Sequence, residues 1–179
     1  PTLRNFAGIR SADIPVDSNK IHFVFVGRLE KVKGIDILLK AWKHAVRARR
    51  DIMLHIAGSG SMDGWVRRYV AENALAESVV LHGNMSAEEL KGLMLKCHCF
   101  VLPSRSESIP VTFSEAVYCG LPFVVTDVGD MGGLVQEYGV GWVVPPADTV
   151  ALEKAIIGFD AGFKKEAASR LEQLKGLFN

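Results

Sequence analysis

Two carboxylates eight positions apart, Glu107 and Glu115, stand in the stretch of this 179-residue chain best suited to chemistry, Ser104 to Gly120, SRSESIPVTFSEAVYCG. It begins as a polar loop and turns, at Pro110, into a run that is almost wholly apolar or small. A proline at the first helical position and a glycine stop predict a short helix. Both flanks of that helix are apolar, which predicts burial. A carboxylate in a buried helix is costly unless something pairs with it or hydrogen-bonds to it, so Glu115 calls for a ligand or a partner. Glu107 lies in the loop that feeds the helix N-terminus, whose unpaired N–H groups make a natural anion seat. The stretch thus offers acceptors for hydroxyl groups beside donors for a phosphate. The alternative reading is plainer: one helical Glu facing solvent and one loop Glu.

A second reactive cluster is Gly27-Arg28-Leu29-Glu30-Lys31-Val32-Lys33-Gly34. It follows the apolar run Ile21 to Val26, where a phosphate-binding turn belongs. Neither the dinucleotide fingerprint GxGxxG nor the P-loop GxxxxGK[ST] is present, which weighs against hydride transfer and ordinary nucleoside triphosphatases. The loop instead supplies side-chain cations. Arg28 gives a planar fork and Lys33 a compact charge, a good pair for a diphosphate, unless both are ordinary solvated loop residues. No metal-ligand spacing and no GxSxG elbow accompany them. Cys97, Cys99 and Cys119 are an odd number of cysteines, which fits a reducing compartment and buried thiols better than a disulfide framework or a metal knuckle. A net charge of +1 gives no sign of a nucleic-acid partner, and no apolar run approaches membrane-spanning length.

The elements that must position these residues alternate along the chain. Strands are predicted at Ile21–Val26, Ile52–Ala57, Val79–His82, Cys99–Leu102, Phe123–Thr126 and Trp142–Val144. Helices are predicted at Ile35–Arg50, Met62–Asn73, from the Ser86 capping box to Lys96, near Leu134–Glu137, from the Asp148 cap to Ile157, and at Gly162–Leu177. The strands are near-continuous apolar runs joined by short connections, the pattern of a doubly wound, mostly parallel α/β sheet with helices on both faces. Residues 1–20, with Gly8, Pro15 and Asn19, read as an irregular lead-in or linker, and residues 21–179 as one domain. Ligands bind such sheets at the carboxyl ends of the strands. That places Gly27–Gly34, Gly58–Gly60, His82-Gly83, Ser104–Pro110 and Asp127–Gly133 around one crevice. The helix Ile35–Arg50 carries Lys40, Lys43, His44, Arg47, Arg49 and Arg50 on its polar side and end, either a solvated face or a contact for an anionic membrane surface.

From about Val24 to Ile157 the chain resembles the C-terminal, Rossmann-like domain of a retaining GT-B glycosyltransferase of family four, the glycosyl transferases group 1. Gly27-Arg28 with Lys33-Gly34 matches that family's GR…KG loop, and Gly58-Ser59-Gly60 its GxG turn. Leu102-Pro103-Ser104 through Glu107 to Glu115, Ala116, Gly120 and Pro122 matches its PSxxE…EA…GxP block, with Glu107 and Glu115 at the E-x7-E spacing.

The resemblance implies roles. Arg28, Lys33 and Glu107 are the implied catalytic groups: the two cations grip the diphosphate of a nucleotide-sugar such as a UDP- or GDP-sugar, and Glu107 holds hydroxyls of the donor sugar. Glu115 accepts hydrogen bonds from the ribose. Gly27 and Gly58 shape the site, backbone at Leu81 and His82 edges the base, and backbone from Ile109 and Pro110 to Val111 and Thr112 faces the phosphate or sugar. No metal or other cofactor is implied, because the cations replace it. The implied reaction is hexosyl transfer with retention, in surface polysaccharide or glycolipid assembly, in the cytoplasm or at the inner face of the membrane. The acceptor site belongs to an N-terminal GT-B domain that this sequence does not show, so an excised domain, inactive alone, is expected. Two departures stand out: Ser108-Ile109-Pro110 replaces the usual GFG, with Pro110 lacking an N–H, and Gly129-Asp130-Met131-Gly132-Gly133 lacks the Glu of GGxPE. A non-catalytic nucleotide-sugar-binding module, a sugar-nucleotide epimerase and a plain interaction domain are the competing readings.

Overall fold

The structure is a computed structural model that describes residues 16–179; Gly8 and Pro15 of the expected lead-in lie outside the described residues. Six strands form one parallel sheet: β1 (Ile21–Val26), β2 (Ile52–Ala57), β3 (Val79–Gly83), β4 (Cys99–Leu102), β5 (Phe123–Thr126) and β6 (Gly141–Val144). Their order is β3-β2-β1-β4-β5-β6, every neighbouring pair parallel. The helices are α1 (Ile35–Ala48), α2 (Asp63–Glu72), α3 (Ala87–Lys96), α4 (Val111–Tyr118), α5 (Met131–Tyr138), α6 (Thr149–Gly158), α7 (Phe163–Glu166) and α8 (Ala168–Lys175). Strand order reverses between β1 and β4, so the crevice expected of a doubly wound sheet opens above those two strands.

Burial on both faces explains the unbroken apolar strands. Phe23 of β1 meets Trp42 of α1 edge-on at 5.6 Å and Phe159, just beyond α6, at 5.3 Å. On the opposite face, Phe113 of α4 stacks on Phe123 of β5 at 4.4 Å. The predicted caps form: the Ser86 hydroxyl accepts from the Glu89 amide, and the Asp148 carboxylate from the Ala151 amide. The three cysteines are buried, and burial pushes the Cys97 thiol up to about 12.

Four local expectations are corrected. The single helix expected over Gly162–Leu177 is broken into α7, α8 and a terminal 3₁₀ turn, Gly176–Phe178. The break falls at Ala167, whose ψ of −6° departs from the helical value as its side chain packs fully into the core. Pro110 is the cap of α4 and not its first residue, with φ −72° and ψ 152°. Burial of α4 is one-sided: Phe113, Ala116 and Val117 are in the core, but Val111 is 75% and Tyr118 48% exposed. Arg49, grouped with the solvated cations of α1, instead donates to the carbonyls of Ile157 (2.9 Å) and Phe159 (2.7 Å) and pairs with Asp51. It thereby closes the C-terminus of α6, where a cation suits the helix dipole.

His22 interrupts the apolar pattern of β1 because it belongs to a row of buried imidazoles. Its Nε2 lies 2.5 Å from the Asp17 carbonyl, its Nδ1 2.9 Å from His55 Nε2, and His55 Nδ1 is 2.9 Å from His82 Nε2. A carbonyl only accepts, so His22 carries its proton on Nε2 and accepts at Nδ1; the same polarity then runs through His55 to His82. The His22 amide also donates to His98 Nδ1 at 2.9 Å. A second proton on His22 would set N–H against N–H. Burial, the largest influence, lowers its proton affinity below the ordinary 6.5, against the opposing Asp17 hydrogen bond and charge. Folded His22 therefore binds protons less readily than unfolded His22. The stability it contributes is complete above pH 6.5 and is lost as pH falls from there towards the folded value. The midpoint of urea unfolding is expected to drop between pH 7.5 and pH 5.5, and the drop should shrink in His22→Asn. A midpoint flat across this interval would contradict the neutral row.

Candidate functional site

The strand ends that sequence reasoning gathered into one crevice are held together by close backbone approach. Gly34 follows the 3₁₀ turn Lys31–Lys33 with φ +75°, and a Cβ there would lie 1.9 Å from the Pro103 carbonyl oxygen. Gly58, at φ +132°, would bring a Cβ within 1.8 Å of the Gly27 carbonyl. Only glycine satisfies both demands at once. The late turn joins in where Gly129 abuts the Glu107 carbonyl.

A side-chain tie reinforces the first of these contacts. Arg105 donates both arms of its guanidinium to Asp36, at 2.7 and 2.8 Å, and a further bond to the Lys31 carbonyl at 2.5 Å. Its own amide donates to the Val32 carbonyl at 2.8 Å. Asp36 is 6% exposed. Burial works to raise its proton affinity, but the Arg105 hydrogen bonds and charge prevail and hold the carboxyl below its ordinary range. The same tie raises the Arg105 guanidinium. Beside it, Lys33 Nζ forms an ion pair with Glu107 Oε2, the two side chains 17% and 11% exposed, and the Ser104 hydroxyl donates to the same carboxylate at 3.4 Å. Lys33 and Glu107 are thus brought together and draw on each other's charge.

Arg28 is placed differently. Its side chain is 68% exposed, touches Glu30 at 3.0 Å, and lines a cavity of about 390 Å³ at the carboxyl ends of β1, β2 and β3. Gly27 and Gly58 line the same cavity with Ser59, Asn84, Met85 and Leu90. The Ser59 hydroxyl donates to Asn84 Oδ1 at 3.0 Å, which leaves the Asn84 amide nitrogen as a donor. Leu90 is also a wall of a second, more apolar groove of about 480 Å³ between α3 and α4, where Glu115 sits with Lys91, Ser114 and Tyr118. Glu115 is half-buried and faces this groove, not the core. Leu90 is thus common to the pocket that Arg28 lines and the groove that Glu115 lines.

The remaining expected residues divide into two groups. Val111 and Thr112 open α4 directly after its Pro110 cap, so their amides precede any intrahelical acceptor; Ile109 is at the surface just ahead. Leu81 and His82 are buried in β3, with the His82 ring in the imidazole row and neither side chain on the 390 Å³ cavity. Sequence reasoning missed Asn84 and Met85, which follow β3 and do line that cavity, and it missed the Arg105–Asp36 tie. A signal for the tie existed: Asp36 is a lone acid in the apolar run Gly34-Ile35-Asp36-Ile37-Leu38-Leu39.

Comparison with known proteins places the chain. The family described as glycosyl transferases group 1 matches residues 9–165. The chain belongs to that family, and its fold is that of the C-terminal domain of a GT-B glycosyltransferase. It is 32% identical over 138 residues to a D-inositol 3-phosphate glycosyltransferase of Arthrobacter sp. (strain FB24), which covers 74% of this chain and 32% of that protein. Among solved structures, WaaG, a glycosyltransferase involved in lipopolysaccharide biosynthesis, superposes with a TM-score of 0.78 at 15% identity, over 90% of this chain and 44% of that one. The C-terminal domain of a glycosyl transferase group 1 family protein (LpcC) from Francisella tularensis superposes with a TM-score of 0.75 at 16% identity, over 88% and 85%. The chain spans about a third of the length of the first curated relatives it matches.

The tie predicts a specific failure. Arg105→Ala would leave the Asp36 carboxylate buried without its fork, a loss of about 2 kcal/mol of stability. The double variant Arg105→Ala/Asp36→Asn should recover part of it. Chemical denaturation of the two variants measures both; equal stability of wild type and Arg105→Ala would show that the tie is not under strain of burial.

Proposed function

We propose that this chain is the nucleotide-sugar-binding domain of a retaining hexosyltransferase. The observation that carries the reading is the cavity lined by Gly27, Arg28 and Gly58, which shares Leu90 as a wall with the groove that holds Glu115. A nucleoside diphosphate has both features these walls complement: an anionic diphosphate for the cations and vicinal ribose hydroxyls for a carboxylate acceptor.

In this reading Arg28 and Lys33 neutralise the diphosphate as negative charge builds on the leaving group, the role that positioned cations serve in group transfer. No metal is required for it. The open amides of Val111 and Thr112 add neutral donors, with the positive end of the α4 dipole behind them. Glu107 competes with the diphosphate for Lys33 and turns its second oxygen to sugar hydroxyls. Asn84 and Met85, which line the cavity, extend the base edge that the backbone at Leu81 and His82 was expected to form. The acceptor is held by an N-terminal GT-B domain of a longer chain, and transfer needs that domain. The family membership and the lipopolysaccharide role of WaaG support a place in surface polysaccharide or glycolipid assembly.

Calorimetric titration of the chain with UDP, GDP and ADP tests the reading. One nucleotide should bind with a free energy of about 4 to 6 kcal/mol, on the order of millimolar to tens of micromolar. Arg28→Ala and Glu115→Ala should each weaken it about tenfold. Binding of that nucleotide unmoved by both substitutions would overturn the site, and no binding of any of the three near millimolar concentration would overturn the reading for this chain.

A further inference from the structure

The basic side of α1 has no part in the site above, and it borders a recess of about 280 Å³ near the amino-terminal end of β2. The carboxyl-end cavity lies across the sheet, about 20 Å away, the length of a six-residue strand. One wall of the recess carries Lys43, Arg47 and Arg50; the other is the turn after α2, with Asn73, Ala74 and Glu77.

Three features set this recess apart from an ordinary solvated helix face. Among the described residues, Lys43, Arg47 and Arg50 have no ion-pair partner, although Arg49 beside them is fully engaged with Asp51 and the end of α6. No acidic residue follows Asp36 within α1, so the surplus is local in a chain whose net charge is only +1. The helix dipole accounts for cations in the last turn alone, whereas Lys43 stands above it. The facing wall is also held in an uncommon shape: Ala74 adopts φ +54°, a left-handed conformation that non-glycine residues seldom take. Among the described residues, Glu77 is the one carboxylate on the lining, against three cations without an ion-pair partner there.

We propose that this recess binds a phosphate-bearing anion. Two guanidinium forks and an ammonium on residues lining one concave site match the several acceptor oxygens of a phosphate or diphosphate. The same chemistry is offered by a free phosphate compound and by an anionic lipid headgroup, to which each cation near a bilayer surface adds attraction.

Two arms of one experiment test the site and identify the source. Inorganic pyrophosphate is titrated into the chain carrying Arg28→Ala, which weakens the carboxyl-end cavity as a competing site, and into the same chain with Lys43→Ala, Arg47→Ala and Arg50→Ala added. In parallel, both proteins are floated with phosphatidylcholine vesicles that contain or lack phosphatidylglycerol. The expected result is binding of pyrophosphate, of the anionic vesicles, or of both, weakened about tenfold or more by the triple substitution with the melting temperature unchanged. Pyrophosphate binding identifies a free phosphate compound as a sufficient ligand; binding to anionic vesicles alone identifies the headgroup. Arg47→Gln, a single change at an exposed position, repeats the test should the triple variant fold poorly. Binding of neither probe, or equal binding with and without the substitutions, overturns the proposal.

Discussion

The bidentate pair between Arg105 and Asp36 is the contact on which the crevice depends. It joins segments 69 positions apart, the first turn of α1, which follows β1, and the loop after β4, on the two sides of the point where strand order reverses. Both groups are drawn from water, so the pair stabilises only because its geometry is nearly complete: two carboxylate oxygens on one fork, and a third bond from the fork to the Lys31 carbonyl. A lysine could supply the charge but not the fork. Gly34 makes the approach possible by yielding its side-chain volume to the Pro103 carbonyl, and the Arg105 amide bond to Val32 fixes its height. Lys33 and Glu107 then fall within reach of each other as a consequence of that seam, with no separate device needed to align them.

Charge at the carboxyl ends of the strands is matched almost residue for residue. Arg28 leans on Glu30, Lys33 on Glu107, and Arg105 on Asp36. The three pairs differ in what they permit. Arg105 and Asp36 are structural, since loss of the guanidinium fork, which is bonded in three places, leaves the buried Asp36 carboxylate without its partner. Lys33 and Glu107 are mostly buried yet border the loop surface, so an anion reaching Lys33 must outcompete a carboxylate already in place. Arg28 is mostly exposed and its pairing in water is weak, which leaves it the most available cation for a ligand. The gradient from fixed to free runs from the seam outward to the cavity.

Much of this arrangement was legible in the chain, and what was not has a physical cause. The strands announced themselves because both faces are buried, and Ile21–Val26, Ile52–Ala57 and Phe123–Thr126 were read to the residue. Caps at Ser86 and Asp148 are local signals and formed as read. Long-range consequences were harder. Asp36 and Arg105 are ordinary charged residues until the sheet order brings the start of α1 and the loop after β4 together, and no periodicity reports such a pairing. Reading the end of β3 stopped at Gly83, because Asn84 and Met85 carry no strand or helix signal of their own. Glu115 drew attention as a buried carboxylate; its oddity was real, but the relief is an open groove on one side of α4, which the apolar run Val111–Val117 conceals by placing Val111 in solvent. The break at Ala167 was invisible because alanine is the strongest helix former, and even in the structure its amide and carbonyl keep helical bonds to Phe163 and Leu171.

Pro110 shows how a small shift in register changes the meaning of a residue. As the first residue of a buried helix it would have consumed one of the few donors available to an anion. As the cap, with φ −72° and ψ 152°, it lacks an N–H at a position outside the helical turn, and the amides of Val111 and Thr112 remain ahead of any intrahelical acceptor. The missing donor is offset by rigidity. The proline ring fixes the angle at which the chain enters α4, next to an Ile109 and a Val111 that are themselves exposed. A segment with so little burial of its own would otherwise sample several entries to the helix. Because Gly129 presses on the Glu107 carbonyl three residues earlier, the loop is pinned at both ends: by backbone contact where the carboxylate lies, and by a ring where the amides begin. The proline at this point therefore removes one donor while its ring and the Gly129 contact fix how the chain enters α4.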